Sequence, residues 1–174
     1  MKSNLPRFKY HPDPIATGSF RELDGPVICP CCKKETSIIY AGPFYSINNV
    51  ENLCPYCIAS GAAAEKFSGE FQDSESVDEV SDPAKLEELT QRTPGYCGWQ
   101  QEYWRAHCDD YCAYLGTVGY AELEELGLAD EIRETLPNDW YSEIFTDVTK
   151  DGSIAGYLFQ CLHCGKRLLH IDCD

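Results

Sequence analysis

Basic residues are scarce in this chain: 14 Lys and Arg stand against 29 Asp and Glu in 174 residues, a formal charge of −15. Such a surface repels a phosphate backbone, which nucleic-acid binders neutralise with Lys and Arg, and this weighs against the commonest use of small zinc modules. Long apolar runs are also missing. MKSNLPRFKY holds none that would serve as a signal peptide, and no stretch of about 18 apolar residues could cross a membrane. The expectation is a cytoplasmic protein. Familiar catalytic signatures are absent too: there is no His-Glu-x-x-His, no P-loop and no Gly-x-Ser-x-Gly. LCPYC lacks both the His-x-Glu and the Pro-Cys-x-x-Cys of a zinc deaminase.

Cysteine, by contrast, is abundant. Eleven are present, mostly in close groups: Cys29, Cys31 and Cys32; Cys54 and Cys57; Cys108 and Cys112; Cys161 and Cys164, with Cys97 and Cys173 apart. In a reducing compartment, paired cysteines serve more often as metal ligands or catalytic thiols than as disulfides, and an odd total fits a closed disulfide set poorly.

The order of composition along the chain predicts an α+β fold. Residues 1–67 read as an extended, proline-containing arm packing through Phe8, Tyr10 and Phe20, then strand, cysteine turn, strand (36–40), and a helix after LCPYC weakened by Gly61. Residues 68–91, rich in Ser, Asp and Glu, read as an acidic linker or loop with a short helix at 83–89. In 92–174, Trp104, Cys108, Tyr111, Cys112 and Leu115 recur at helical spacing and predict a helix over 99–115, stopped by Gly116 and Gly119. Two acidic helices (121–126 and 129–136) and strands around the Asp151-Gly152 turn complete the chain.

Cys54-Pro-Tyr-Cys57 could be a redox dithiol or half of a zinc site. Two Cys-Pro-x-Cys turns, at Cys29 to Cys32 and Cys54 to Cys57, are separated by twenty-one residues, close to the spacing of a four-cysteine zinc site. A redox fold would need a buried strand before the tetrad, and SINNVENL is too polar. The reading is therefore zinc, held by Cys29, Cys32, Cys54 and Cys57, with a β-hairpin filling the gap and Cys31 spare. Knuckle, hairpin and a second pair at a helix start describe a treble-clef-like module. A second zinc is a candidate at Cys161 and Cys164, completed by Cys108 and Cys112 on one helix face, with His107 or His163 as substitutes. Against it, Cys108 and Cys112 fall on the apolar stripe, where cysteine is commonly a small buried residue. Four thiolates close the coordination sphere, so neither site reads as catalytic. His11 beside Asp13 could form an acid/base pair, but a surface or capping role is the commoner one.

The phrases LPRFKYHPDPIATGSF, AGPFYS, LCPYCIASGAAAEKF and RTPGYCGWQQEYWRAHCDDYCAYLG together resemble the CbrC family of small bacterial proteins. That resemblance implies a bacterial cytosolic protein and, through the family name, an association with tolerance to colicins. It assigns no catalytic residue. Two functions stay open. One is a non-enzymatic, zinc-stabilised acidic protein that binds a basic protein partner such as a bacterial toxin. The other is an enzyme, either a thiol oxidoreductase at Cys54 and Cys57 or a metal-dependent hydrolase using His107 and nearby carboxylates.

Overall fold

The computed structural model describes residues 5–137, 139–150 and 152–173. The chain divides into two compact units, one of residues 1–75 and 82–97, the other of 76–81 and 98–174. The acidic stretch 68–91 is therefore shared: its first part carries Phe71 into the first unit's core, 76–81 joins the second unit, and the rest is helical.

In the first unit, β1 (Phe20–Ile28) and β2 (Glu35–Tyr40) form an antiparallel hairpin, with an irregularity between Glu22 and Val27. The first cysteine turn is the tip of this hairpin. No hairpin lies between the two cysteine pairs: that gap holds β2 and an irregular return, 41–53, tied down by a bridge from Tyr45 to Glu70. SINNVENL is too polar to make a paired strand, so the polypeptide travels that distance without one.

Helix α1 (Pro55–Ala59) starts with Pro55 in its first turn, where a missing N–H costs nothing. Gly61, at φ 76°, separates it from α2 (Ala62–Phe67), so the alanine-rich stretch is two short helices. α3 (Pro83–Arg92) is capped by the Asp82 carboxylate, which accepts from the Ala84 N–H at 2.9 Å. Phe8, Phe20, Ile38, Tyr40, Leu53, Ile58 and Phe71 form the core, with Cys29, Cys54 and Cys57 at its edge.

His11 is neither a surface nor a capping residue but fully buried. Its Nδ1–H donates to the Pro94 carbonyl at 2.7 Å, leaving Nε2 to accept from the Thr17 hydroxyl at 2.6 Å. Burial holds its pKa down to about 4, against the smaller opposing effects of the Pro94 carbonyl and Asp13. The ring is a neutral crosspiece that fastens the N-terminal arm.

In the second unit the predicted helix over 99–115 does not form. β3 (Ala106–His107) and β4 (Asp110–Tyr111) make a minimal hairpin, and β5 (Ala113–Val118) starts a three-stranded antiparallel sheet with β6 (Ile154–Gln160) and β7 (Arg167–Cys173). The helical spacing of Trp104, Cys108 and Tyr111 is overruled by two features. Tyr, Trp, Thr and Val favour a pleated surface, and Cys108 and Asp109 both adopt left-handed conformations (φ 56° and 54°), the turn of a two-residue hairpin. Gly116, read as a helix stop, lies in a bulge of β5 at φ 126°. Trp104, Tyr114 and Phe159 pack together beneath this sheet, and the Trp104 Nε1–H donates to the Cys112 carbonyl at 2.9 Å.

The acidic segments are helical: α4 (Tyr120–Glu125), α5 (Ala129–Arg133) and α6 (Asp139–Ile144), then a 3-10 turn, Phe145–Asp147. They cover the sheet through Leu123, Ile132 and Phe145, which pack on Leu158, Leu169 and Ile171. The expected Asp151-Gly152 strand turn falls partly outside the described residues, since Asp151 is not among them; the element before it is the 3-10 turn and the element after it is β6.

Candidate metal centres

Two turns of the same construction carry the outer cysteines. In the first, the Cys29 N–H donates to the Lys34 carbonyl at 2.9 Å and the Lys33 N–H returns to the Cys29 carbonyl at 2.9 Å. In the second, the Cys161 N–H donates to the Lys166 carbonyl at 2.9 Å and the Gly165 N–H returns to the Cys161 carbonyl at 3.1 Å. Both place the residue four positions on, Lys33 and Gly165, in the left-handed region at φ 62° and 76°. The shared motif Cys-x-x-Cys-x-Lys is thus one backbone device used twice, presenting two sulfurs on one side of a tight turn.

At the first centre this turn faces the start of α1. Cys54 is the residue before the helix and Cys57 lies in its first turn. The Cys29 Sγ lies 3.8 Å from the Cys57 Sγ, and the Cys32 Sγ 3.9 Å from the Cys54 Sγ. A tetrahedral ion with bonds of about 2.3 Å to sulfur needs S–S edges of about 3.8 Å. Disulfide sulfurs would stand about 2.05 Å apart, so the spacing suits a shared ion rather than two covalent bonds. The Cys54 N–H points at the Cys29 sulfur from 3.4 Å. Burial raises the Cys29 thiol, but N–H donors from Cys32, Cys54 and Cys31 outweigh it and bring the group to about 7. Burial lifts Cys54 to about 11 and pushes Cys57 up further. Such a cluster sheds protons when a cation enters.

The second centre gathers His107, Cys108, Cys161 and Cys164, whose donor atoms all lie within 4.8 Å of one another. His107 Nδ1 is 3.2 Å from the Cys108 Sγ and 3.4 Å from the Cys164 Sγ. These are close to the edges of about 3.6 Å expected between a nitrogen and a sulfur on one tetrahedral ion. The turn N–H groups of Cys164 and His163 hold the Cys161 thiol down at about 6 despite burial. Cys108 rises to about 11, chiefly through its contact with the Cys164 thiol.

Cys112, which helical spacing pairs with Cys108, is not brought to this cluster. With no helix there, it lies in the aromatic core, and burial raises its thiol to about 12. His107 occupies the place Cys112 was expected to fill. His163 turns outward and meets the buried Asp110 carboxylate, Nε2 to Oδ2, at 2.9 Å. His107 closes the β3–β4 hairpin opposite Asp110 and Cys108 is the first residue of its turn, so two consecutive residues supply two donors. Asp109 in that turn accepts from the Ser81 N–H at 2.7 Å, so segment 76–81 steadies the hairpin.

The two clusters could each hold a metal ion, and their donor sets of four sulfurs and of three sulfurs with one imidazole are consistent with zinc. Among the described residues no helix is long and apolar enough to cross a membrane.

The sequence model of an uncharacterised protein family, UPF0167, matches residues 5–173. The UPF0167 proteins Mb2317 of Mycobacterium bovis and MT2352 of Mycobacterium tuberculosis are each 39% identical, covering 97% of this chain and 93% of their own length. UPF0167 protein PA1536 of Pseudomonas aeruginosa is 36% identical, covering 100% of this chain and 99% of its own. No solved structure matches. With nearly its whole length matched by the family model and by bacterial relatives, the chain belongs to the UPF0167 family.

Proposed function

We propose that this is a non-enzymatic, zinc-stabilised interaction protein that carries two structural zinc ions and binds a basic protein partner. The observation that supports it most is the pair of Sγ–Sγ separations, 3.8 and 3.9 Å, in a cluster that supplies four sulfurs. Four protein donors fill a tetrahedral sphere and leave no position for substrate. The first centre takes two ligands from the β1–β2 turn and two from the start of α1, as a treble clef does, but without the hairpin between the pairs. The second takes His107 Nδ1, Cys108, Cys161 and Cys164.

The partner reading comes from charge. Glu124, Glu125, Asp130, Glu134, Asp139 and Glu143 are exposed acidic residues on the helices of the second unit or at their ends, where Leu126 and Trp140 are also exposed. An acidic helical surface that also exposes apolar side chains suits a basic protein surface, with attraction that speeds association and weakens with salt. The family resemblance to CbrC proteins, with its association with colicin tolerance, makes a basic bacterial toxin the partner class to try first. Placing this in the cytoplasm is part of the same proposal.

The redox alternative finds less support. At Cys54 and Cys57 burial raises both thiols, whereas an attacking dithiol cysteine needs a lowered one.

The test is binding of purified basic toxin domains, with acidic proteins of similar size as controls, at low and at physiological ionic strength. Preference for the basic set, weakening about tenfold or more with salt, supports the proposal. Equal binding of both sets, or none, overturns the partner claim.

A further inference from the structure

The two centres differ in their accessibility. At the first, Cys29, Cys54 and Cys57 are buried at 0%, 5% and 5% exposure, and only Cys32 is partly open. At the second, Cys161 alone is buried, while Cys108 and Cys164 are exposed. These two exposed sulfurs flank the same His107 nitrogen, and both sit on turns rather than within strands. Cys108 is in the two-residue β3–β4 turn, and Cys164 adjoins Gly165 at the end of the second cysteine turn.

We propose that Cys108 and Cys164 form an oxidant-responsive modification site, converted to a disulfide by a hydroperoxide with loss of the ion from the second centre. This rests on the reading that the centre is loaded with zinc. One thiolate attacks the peroxide: an S–O bond forms, the O–O bond breaks, and the departing alkoxide takes a proton. The neighbouring thiolate then attacks that sulfur; an S–S bond forms, the S–O bond breaks, and hydroxide leaves to become water. Two thiolates, one hydroperoxide and two protons thus give one disulfide, one alcohol (water, from hydrogen peroxide) and one water.

The sulfurs begin within 4.8 Å of each other and must close to about 2.05 Å, and both lie on turns rather than within strands. Oxidation leaves His107 and Cys161 as the remaining donors, too few for a structural tetrahedral site. The thiols of the first centre are less exposed, Cys29, Cys54 and Cys57 being buried and Cys32 half-buried, and site selectivity depends on exposure as well as thiolate character.

The experiment uses the full chain with its zinc counted beforehand. One equivalent of hydrogen peroxide is added, released zinc is tracked with a chromogenic chelator, and disulfides are mapped by mass spectrometry. The proposal expects about one of two ions to be released, a Cys108–Cys164 disulfide, reduced Cys29, Cys32, Cys54 and Cys57, and recovery with dithiol and zinc. A Cys97→Ser variant, which removes an exposed thiol outside both clusters, should behave the same. Parallel loss of both ions, no release, or a disulfide mapped to the first centre overturns the proposal. Fewer than two zinc ions before oxidant would instead refute the reading beneath it, and the proposal with it.

Discussion

The buried His11 makes the fold lose stability as pH falls below 6.5. In the folded chain its pKa is about 4, against 6.5 in the unfolded chain. Above pH 6.5 the ring is neutral in both states, so its crosspiece contributes in full. As pH falls below 6.5 the unfolded state gains a proton that the folded state refuses, and stability is lost until pH passes about 4. With about 1.4 kcal/mol per pH unit, the loss is about 1 kcal/mol by pH 5.5 and about 3 kcal/mol in full. The assay is urea unfolding from pH 7.5 to 5.5 of the wild type and of a His11→Asn variant, whose amide can still donate to the Pro94 carbonyl but does not titrate. Subtracting the two removes the contribution of every other titrating group. The wild type should lose about 1 kcal/mol relative to the variant over that range. A flat difference, or a His11 ring that titrates by NMR near 6.5, would refute the assignment of a buried neutral imidazole.

Asp78 accepts from the Tyr103 hydroxyl, the Arg105 Nε–H and the Ala106 N–H, so Asp78→Ala should destabilise the second unit by about 2–3 kcal/mol, read by thermal melting and by earlier proteolysis within residues 98–173. Trp104 is fully buried and donates to the Cys112 carbonyl; Trp104→Ala should cost about 3–5 kcal/mol by denaturant unfolding. At Gly95 an added Cβ would collide with the Phe71 carbonyl oxygen, a backbone atom held by its own neighbours, so Gly95→Ala should cost about 1–3 kcal/mol in the first unit. Cys112→Ala should leave the metal content unchanged, whereas His107→Ala should lower it by one ion, by elemental analysis; the reverse pattern would restore the ligand set that helical spacing suggested.

The gathering of Cys29, Cys32, Cys54 and Cys57 was legible because its information is local. Each pair of cysteines sits in a turn written in four consecutive residues, and a tight turn needs little from the rest of the chain. The arm was legible for a similar reason: Phe8, Tyr10 and Phe20 had nowhere stable to go but inward, and all three are buried. The second centre was half legible. Cys161 and Cys164 lie on a turn of the same kind, but their partners depend on whether 99–115 is helix or sheet. An aromatic-rich stretch satisfied a helical period by coincidence, and the pairing of β5 with β6, some forty residues away, decided against it. Once Cys108 and Asp109 turn left-handed, His107 and Cys108 reach the cluster and Cys112 enters the core. The role of residues 76–81 in bracing that hairpin was invisible, since Ser81 and Asp109 meet only in the folded chain.

Zinc content per chain tests the central claim most directly, measured by elemental analysis on protein purified without chelator and repeated on Cys54→Ser and His107→Ala. A structural zinc contributes on the order of 10 kcal/mol, comparable to the stability of a whole domain, so chelation should also unfold the unit concerned. The account predicts about two zinc ions in the wild type and about one in each variant. A zinc-free wild type that keeps its fold, with Cys54 rapidly alkylated, would contradict it.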